Sequence, residues 1–202
     1  MGTAERRARE KEELRSLILR AARRLFVEKG IEQTTIRSIA DAIDYSIGTV
    51  YVYFKDKNAI LHALHSQGFA ELGGQFRVLS TVADPMERLR AMGRVYIQFA
   101  MQQPDMYDLM FTVKAPITYI DASEQAWDEG QATFNELRTT VKACSEANYF
   151  GGHDLEPLVL MIWGVVHGLC SLYIGQRIKG VGQNDSPAFV EKAYDEFLKL
   201  IK

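Results

Sequence analysis

The sequence predicts an all-α protein, and three observations carry that expectation. Apolar residues recur at helical spacing in block after block, from Leu14-Leu17-Ile18-Ala21-Leu25 to Phe189-Val190-Ala193-Tyr194-Phe197. Residues that start helices (Thr35, Ser46, Asp56, Asp84) and end them (Gly30, Pro104) punctuate those blocks. No strand-length run alternates with period two between turn signals. With 202 residues, 47% hydrophobic and 25% charged, the chain has enough apolar surface to fold, which excludes disorder over most of its length.

The first amphipathic helix places Arg15, Arg20, Arg23, Arg24 and Glu28 away from its apolar stripe and ends at Lys29-Gly30, a cationic last turn before a C-cap glycine. Thr34 and Thr35 are candidate N-caps for a short stripe of Ile36, Ile39, Ala40 and Ile43. Asp44-Tyr45 breaks it, and Ser46 opens a second short helix through Ile47, Val50, Tyr51 and Phe54. Asp56 caps a longer helix through Ala59, Ile60, Ala63 and Leu64. Asp84-Pro85 opens a helix running to Gln103-Pro104, and Asp105 starts another through Tyr107, Met110 and Phe111. Ser123 begins a helix through Trp127, Phe134, Leu137 and Val141, and Tyr149–Asp154 is a loop. A helix from Asp154 to Arg177 and a final one ending near Ile201 complete the chain, with a loop at Gly180–Pro187.

Pro157 to Gln176 carries no Asp, Glu, Lys or Arg, close to the ~20 apolar residues of a membrane span. Its Gly164, His167, Gly168, Ser171 and Gly175 argue instead for a helix buried on most sides, and no membrane is expected. Cys144 and Cys170 form no C-x-x-C pair and read as small buried hydrophobes. A charged N-terminus without an apolar run gives no secretory signal and implies the cytoplasm.

The net charge of −2 hides an asymmetry. Residues 1–57 hold 12 Lys/Arg against 9 Asp/Glu, while 58–202 hold 12 against 17. A basic end on an acidic body suits a protein that meets a polyanion with one end. The two short helices at 36–54 have the layout of a helix-turn-helix, with Ala40 and Gly48 as the small residues where they cross. Its second helix presents Ile47, Thr49 and Val52 outward with Ser46 at its start, where base edges are read. Thr49 can hydrogen-bond a base or set its methyl against a thymine methyl. Tyr45, Tyr51, Tyr53 and Lys57 have the chemistry to hold phosphates, packing being the alternative for each tyrosine. Arg6, Arg7, Arg9 and Lys11 are interleaved with Glu5, Glu10, Glu12 and Glu13, which favours a solvated helix face over an arm in the minor groove.

Thr34-Thr35-Ile36-Arg37-Ser38-Ile39-Ala40-Asp41-Ala42-Ile43 followed by Ser46-Ile47-Gly48-Thr49-Val50-Tyr51-Val52-Tyr53-Phe54-Lys55-Asp56-Lys57 closely resembles the DNA-binding signature of the TetR family, as does Leu25-Phe26 ahead of Lys29-Gly30. The resemblance covers about residues 14–64. It implies a three-helix DNA-binding head at 1–60, a ligand-binding and dimerisation body at 61–202, and Thr35, Ser46, Thr49, Tyr53 and Lys57 toward DNA. Asp44 stands where the family usually has glycine; Asp tolerates left-handed backbone better than most residues. Trp163-Gly164-Val165-Val166-His167-Gly168-Leu169 resembles the Trp, His-Gly signature of one C-terminal subgroup, as does Pro104 to Phe111. That implies a body of about six helices whose last two long ones pair with their symmetry mates in a homodimer.

The expected function is a DNA-binding regulator, a repressor released from double-stranded operator DNA by a small hydrophobic or amphipathic effector. Two heads would enter successive major grooves ~34–36 Å apart. Tyr96, Phe99, Tyr107, Phe111, Trp127, Trp163 and His167 are the candidate effector contacts, with core packing the alternative for each. His62 and His65, three apart without a third ligand, read as surface residues rather than a metal site. No cofactor and no catalytic motif is expected.

Overall fold

In a computed structural model, residues 2–112, 128–182 and 186–201 are described, and they are helical with no strands. They form two compact units, one of residues 2–67 with 108–112, the other of 68–107 with 128–201.

The first unit opens with α1 (Thr3–Lys29), which starts further back than its apolar stripe requires. Residues 3–13 are all exposed, and Arg6–Glu10 and Arg9–Glu13 pair at i,i+4. The basic N-terminal segment is therefore a solvated helix face. Helix α1 buries Ile18, Leu19, Ala22, Leu25 and Phe26 and stops at Gly30, whose φ of 81° suits glycine. The Thr34 hydroxyl is buried within 2.8 Å of the Gly30 carbonyl and 3.1 Å of the Leu25 carbonyl, tying the loop back to the end of α1.

Helix α2 (Ile36–Asp41) and helix α3 (Ile47–Tyr53) pack on each other. Ile39, Ala40, Ile43, Val50 and Phe54 are buried as the predicted seam, while Ile36 is half-buried. Ala40 is the small residue inside, but Gly48 is not: it is exposed, and an added Cβ would meet only Ser46 Oγ, at 3.6 Å. The helix crossing needs one small residue rather than two. Asp56 Oδ1 accepts from the Ala59 N–H at 2.7 Å at the start of α4 (Lys57–Val78). The first half of α4 buries Ile60, Leu61, Leu64 and His65. The last of these corrects the expectation of a surface histidine: His65 is fully buried and His62 half-buried. Residues 60, 61, 64 and 65 share one helical stripe, so His65 follows its apolar neighbours inward.

The second unit takes the end of α4, a 3-10 turn at Leu79–Thr81, and α5 (Pro85–Gln102), whose N-cap Asp84 accepts from the Glu87 N–H at 2.8 Å. Helix α6 (Pro104–Phe111) begins at its proline. Helix α7 (Asp128–Glu146) ends with Asn148 at φ 65° and the Tyr149 N–H on the Cys144 carbonyl, a left-handed cap. The predicted start at Ser123 lies outside the described residues. Helix α8 (Leu155–Ile174), the short α9 (Arg177–Gly180) and α10 (Pro187–Leu200) follow. Helix α5 packs on α7, α8 and α10, and α8 on α7, α9 and α10.

Helix α8 carries more apolar surface than its buried face uses. By length and composition it could cross a membrane, and one face is buried through Leu158, Val159, Ile162, Val166 and Cys170. On the other face Leu160, Met161, Gly164 and Leu172 are exposed, and among the described residues no atom beyond the local helix backbone lies within 4 Å of a Cβ built on Gly164 or Gly168.

Candidate functional site

The head's candidate DNA residues divide by what their side chains already do. Thr35 caps α2: its Oγ1 accepts from the Ser38 N–H at 3.1 Å, and Ser38 Oγ accepts from the Thr35 N–H at 3.0 Å, a reciprocal capping box. Ser46 caps α3, accepting from the Thr49 N–H at 3.0 Å and lying 2.9 Å from the Thr49 hydroxyl. Tyr45 and Tyr51 are exposed, and Tyr53 is half-buried. Lys57 is half-buried, and its Nζ donates to the Ile31 carbonyl at 2.6 Å. That bond staples the loop after α1 to the start of α4, a structural role the sequence did not suggest.

The turn between α2 and α3 explains Asp44. Its φ is 57°; the Tyr45 N–H reaches the Ala40 carbonyl at 3.1 Å and the Asp44 N–H reaches Asp41 at 3.3 Å. This is the Schellman arrangement, whose left-handed residue is usually glycine. Asp44→Ala should cost the head about 1 kcal/mol, and Asp44→Gly should not, by thermal denaturation of the two variants. Asp44→Asn keeps the turn and isolates the charge. It should tighten DNA binding most at low salt, because the carboxylate then no longer repels phosphate.

In the second unit, three of the candidate effector residues gather around the imidazole of a fourth, His167. Tyr107 Oη lies 2.7 Å and Tyr96 Oη 3.0 Å from His167 Nδ1, and Tyr107 Oη is also 3.2 Å from the His167 carbonyl. The Trp163 indole donates to Tyr96 Oη at 3.3 Å. Neutral His167 with its proton on Nε2 leaves Nδ1 as the acceptor that both tyrosine hydroxyls face, while the indole donates to Tyr96 and Nε2 lies 3.5 Å from Ser171 Oγ. The Tyr107 ring stacks on the imidazole at 5.4 Å, and the edges of Tyr96 and Trp163 complete the cluster. Burial lowers the His167 pKa below the usual imidazole value, which keeps it neutral. Burial, with Tyr107 alongside, pushes the Tyr96 hydroxyl well above the phenol range. Burial also raises the Cys144 and Cys170 thiols to about 12, so neither is a thiolate near neutral pH.

The remaining candidates are elsewhere. Phe99 is buried on α5, Phe111 is half-buried at the end of α6, and Trp127 lies outside the described residues. Phe134, another aromatic at helical spacing, packs edge-on against Trp163 at 5.8 Å.

Comparison with known proteins decides what this arrangement is. Residues 18–64 match the bacterial regulatory proteins of the tetR family, and residues 89–197, more than half the chain, match the tetracyclin repressor-like C-terminal domain. The chain belongs to the TetR family.

This TetR-family protein is 22% identical over 182 residues to the "Probable acrEF/envCD operon repressor" of Escherichia coli strain K12, covering 86% of this chain and 81% of that one. It is 32% identical over 80 residues to the "HTH-type transcriptional repressor KstR2" of Mycobacterium tuberculosis, covering 39% of this chain and 40% of that one. Among solved structures it resembles the fatty acid degradation regulator FadR of Bacillus halodurans, at a TM-score of 0.76 and 19% identity over 91% of this chain and 94% of that one. PfmR of Thermus thermophilus gives a TM-score of 0.67 at 20% identity, over 91% and 96%. At these identities the likeness to solved structures shows the fold alone. The family assignment makes the protein a DNA-binding regulator of transcription.

Proposed function

We propose that this regulator is a homodimeric repressor that leaves its operator when a small apolar or amphipathic molecule binds the helical body. The observation that carries the reading is the head: a capped helix-turn-helix whose second helix turns an unburied face outward. The names of the relatives, two of them repressors, favour repression over activation. We assign residues 1–60 to DNA binding and 61–202 to effector binding and dimerisation, in the cytoplasm where the operator is. Ser46, Thr49, Tyr45, Tyr51, Tyr53 and Lys57 face DNA on this reading, and Thr35 anchors the first helix of the motif. Lys57 would have to share its ammonium between the Ile31 carbonyl and a phosphate, which three donors allow.

For the effector, Tyr96, Tyr107, Trp163 and His167 supply hydroxyl, indole and imidazole groups within an otherwise apolar set. The effector shifts the protein toward a state that does not bind DNA, so it must bind that state more tightly. Reciprocity supplies the test. A compound that raises the melting temperature of the free protein must weaken its DNA binding by the factor by which DNA weakens the compound's own binding. A compound that binds free and DNA-bound protein equally would remove effector release from the reading.

The homodimer is assigned to the exposed face of α8, where Leu160, Met161 and Leu172 lie beside Gly164 and Gly168 and leave room for a second helix. Leu160→Glu combined with Met161→Lys should yield a folded monomer by analytical ultracentrifugation, with helical content kept and operator affinity lost. An unchanged dimer would place the interface elsewhere.

A further inference from the structure

We infer that the recognition helix reads thymine, through the methyl groups of Thr49 and Val52, with Gly48 letting the helix come close to the bases. The inference rests on the DNA-binding reading above and adds to it the base that is read.

From its cap onward α3 runs Ser46-Ile47-Gly48-Thr49-Val50-Tyr51-Val52-Tyr53, with no Arg, Lys, Asn, Gln, Asp or Glu. In the major groove, guanine is read by paired donors from Arg or Lys, adenine by Asn or Gln, and cytosine by Asp or Glu. None of those side chains is present on this helix. Of its four hydroxyls, those of Tyr51 and Tyr53 are assigned above to phosphates, and those of Ser46 and Thr49 are engaged in the cap. Ser46 Oγ holds the Thr49 N–H at 3.0 Å and lies 2.9 Å from the Thr49 hydroxyl.

What this helix then offers a base is carbon. Thr49 is half-buried, and with its hydroxyl 2.9 Å from Ser46 Oγ its methyl is the group left to meet a base. Val52 is 74% exposed, an apolar side chain with no place in the core of the head. Positions 48, 49 and 52 lie on one helical face, three and four residues apart. Gly48 on that face is exposed and is not demanded by packing, since a Cβ there would make only an ordinary contact at 3.6 Å. Glycine inside a helix costs about 1 kcal/mol relative to alanine. A fold that does not need it points to close approach from outside. The base edge that takes apolar contact is thymine, through its C5 methyl. Exposed Tyr45 and Tyr51 flank this face, where phosphates would lie.

The test uses the full-length protein and duplexes recovered by selection from a random-sequence pool. Each recovered duplex is resynthesised with deoxyuridine replacing thymine, one position at a time, which removes the methyl and keeps every hydrogen-bonding group. Two neighbouring positions in each half-site should lose affinity by about three- to fivefold each, the effect of one buried methyl. Thr49→Ser keeps the hydroxyl and loses the methyl, and should abolish the discrimination at one position. Val52→Ala should do so at the other. Gly48→Ala should leave the melting temperature unchanged or higher and weaken binding to every selected duplex. If selective duplexes emerge but deoxyuridine has no effect at any position, the thymine reading is overturned and DNA binding stands. If the pool yields no selective duplex, both are overturned.

Discussion

Replacing Gly93 by alanine should destabilise the protein by about 3 kcal/mol, although alanine is the better helix former. A Cβ at residue 93 would lie 2.0 Å from the Tyr194 ring, closer than any real contact. Neither side can yield easily. Tyr194 is buried on α10, its hydroxyl bonded to the Leu89 carbonyl one turn before Gly93 at 3.2 Å. The adjoining Asp195 is held by Arg94 at 3.1 Å and Arg90 at 3.6 Å. The glycine is therefore the seat of the final helix on α5, and the methyl must push that helix away. A cost near 3 kcal/mol is a large part of the 5–15 kcal/mol that stabilises an ordinary domain. Urea denaturation reads it directly. In a Tyr194→Leu background the same methyl should cost little, giving a coupling of about 2 kcal/mol. Additive effects would show that the two residues do not meet.

Ser46→Ala should lower operator affinity by about 5- to 30-fold, about 1 kcal/mol for each head, while leaving the body's stability unchanged. A seven-residue helix has little stability of its own. The cap contributes about 1 kcal/mol, and its loss also frees the Thr49 hydroxyl from its partner. The helix start, where bases are read, then frays before binding and must be ordered at the expense of affinity. Ser46→Asn restores a capping side chain and should recover most of the loss if capping is the role. Affinity that stays low in the asparagine variant, with the helix restored, would mean instead that the serine itself touches DNA.

The sequence made the local devices legible and left the distant ones dark. Ser46, Asp56 and Asp84 cap the helices assigned to them, because a cap is decided within four residues. Asp44 adopts the left-handed backbone implied by the resemblance, in which glycine usually stands at that position. Residues 3–13 carry no apolar stripe, and the interleaved charges that favour a solvated helix face pair one turn apart on α1. His65 was misjudged because a polar residue at a core register looks like a surface residue until its neighbours are packed. The seat of Tyr194 on Gly93 joins positions about a hundred residues apart and leaves no local trace. The cluster around His167 is intermediate. Its aromatic members stood out in the sequence, but only the packing of α5, α6 and α8 brings two tyrosine hydroxyls to one imidazole nitrogen.

The most direct test is fluorescence anisotropy with a duplex taken from just upstream of this protein's own gene, against a scrambled duplex, across a series of salt concentrations. The account predicts tight binding to the first duplex, binding weaker by a factor of about a thousand or more to the second, and an affinity that falls linearly with the logarithm of salt. Equal and weak binding to both duplexes, followed by failure to select any preferred sequence from random DNA, would contradict it.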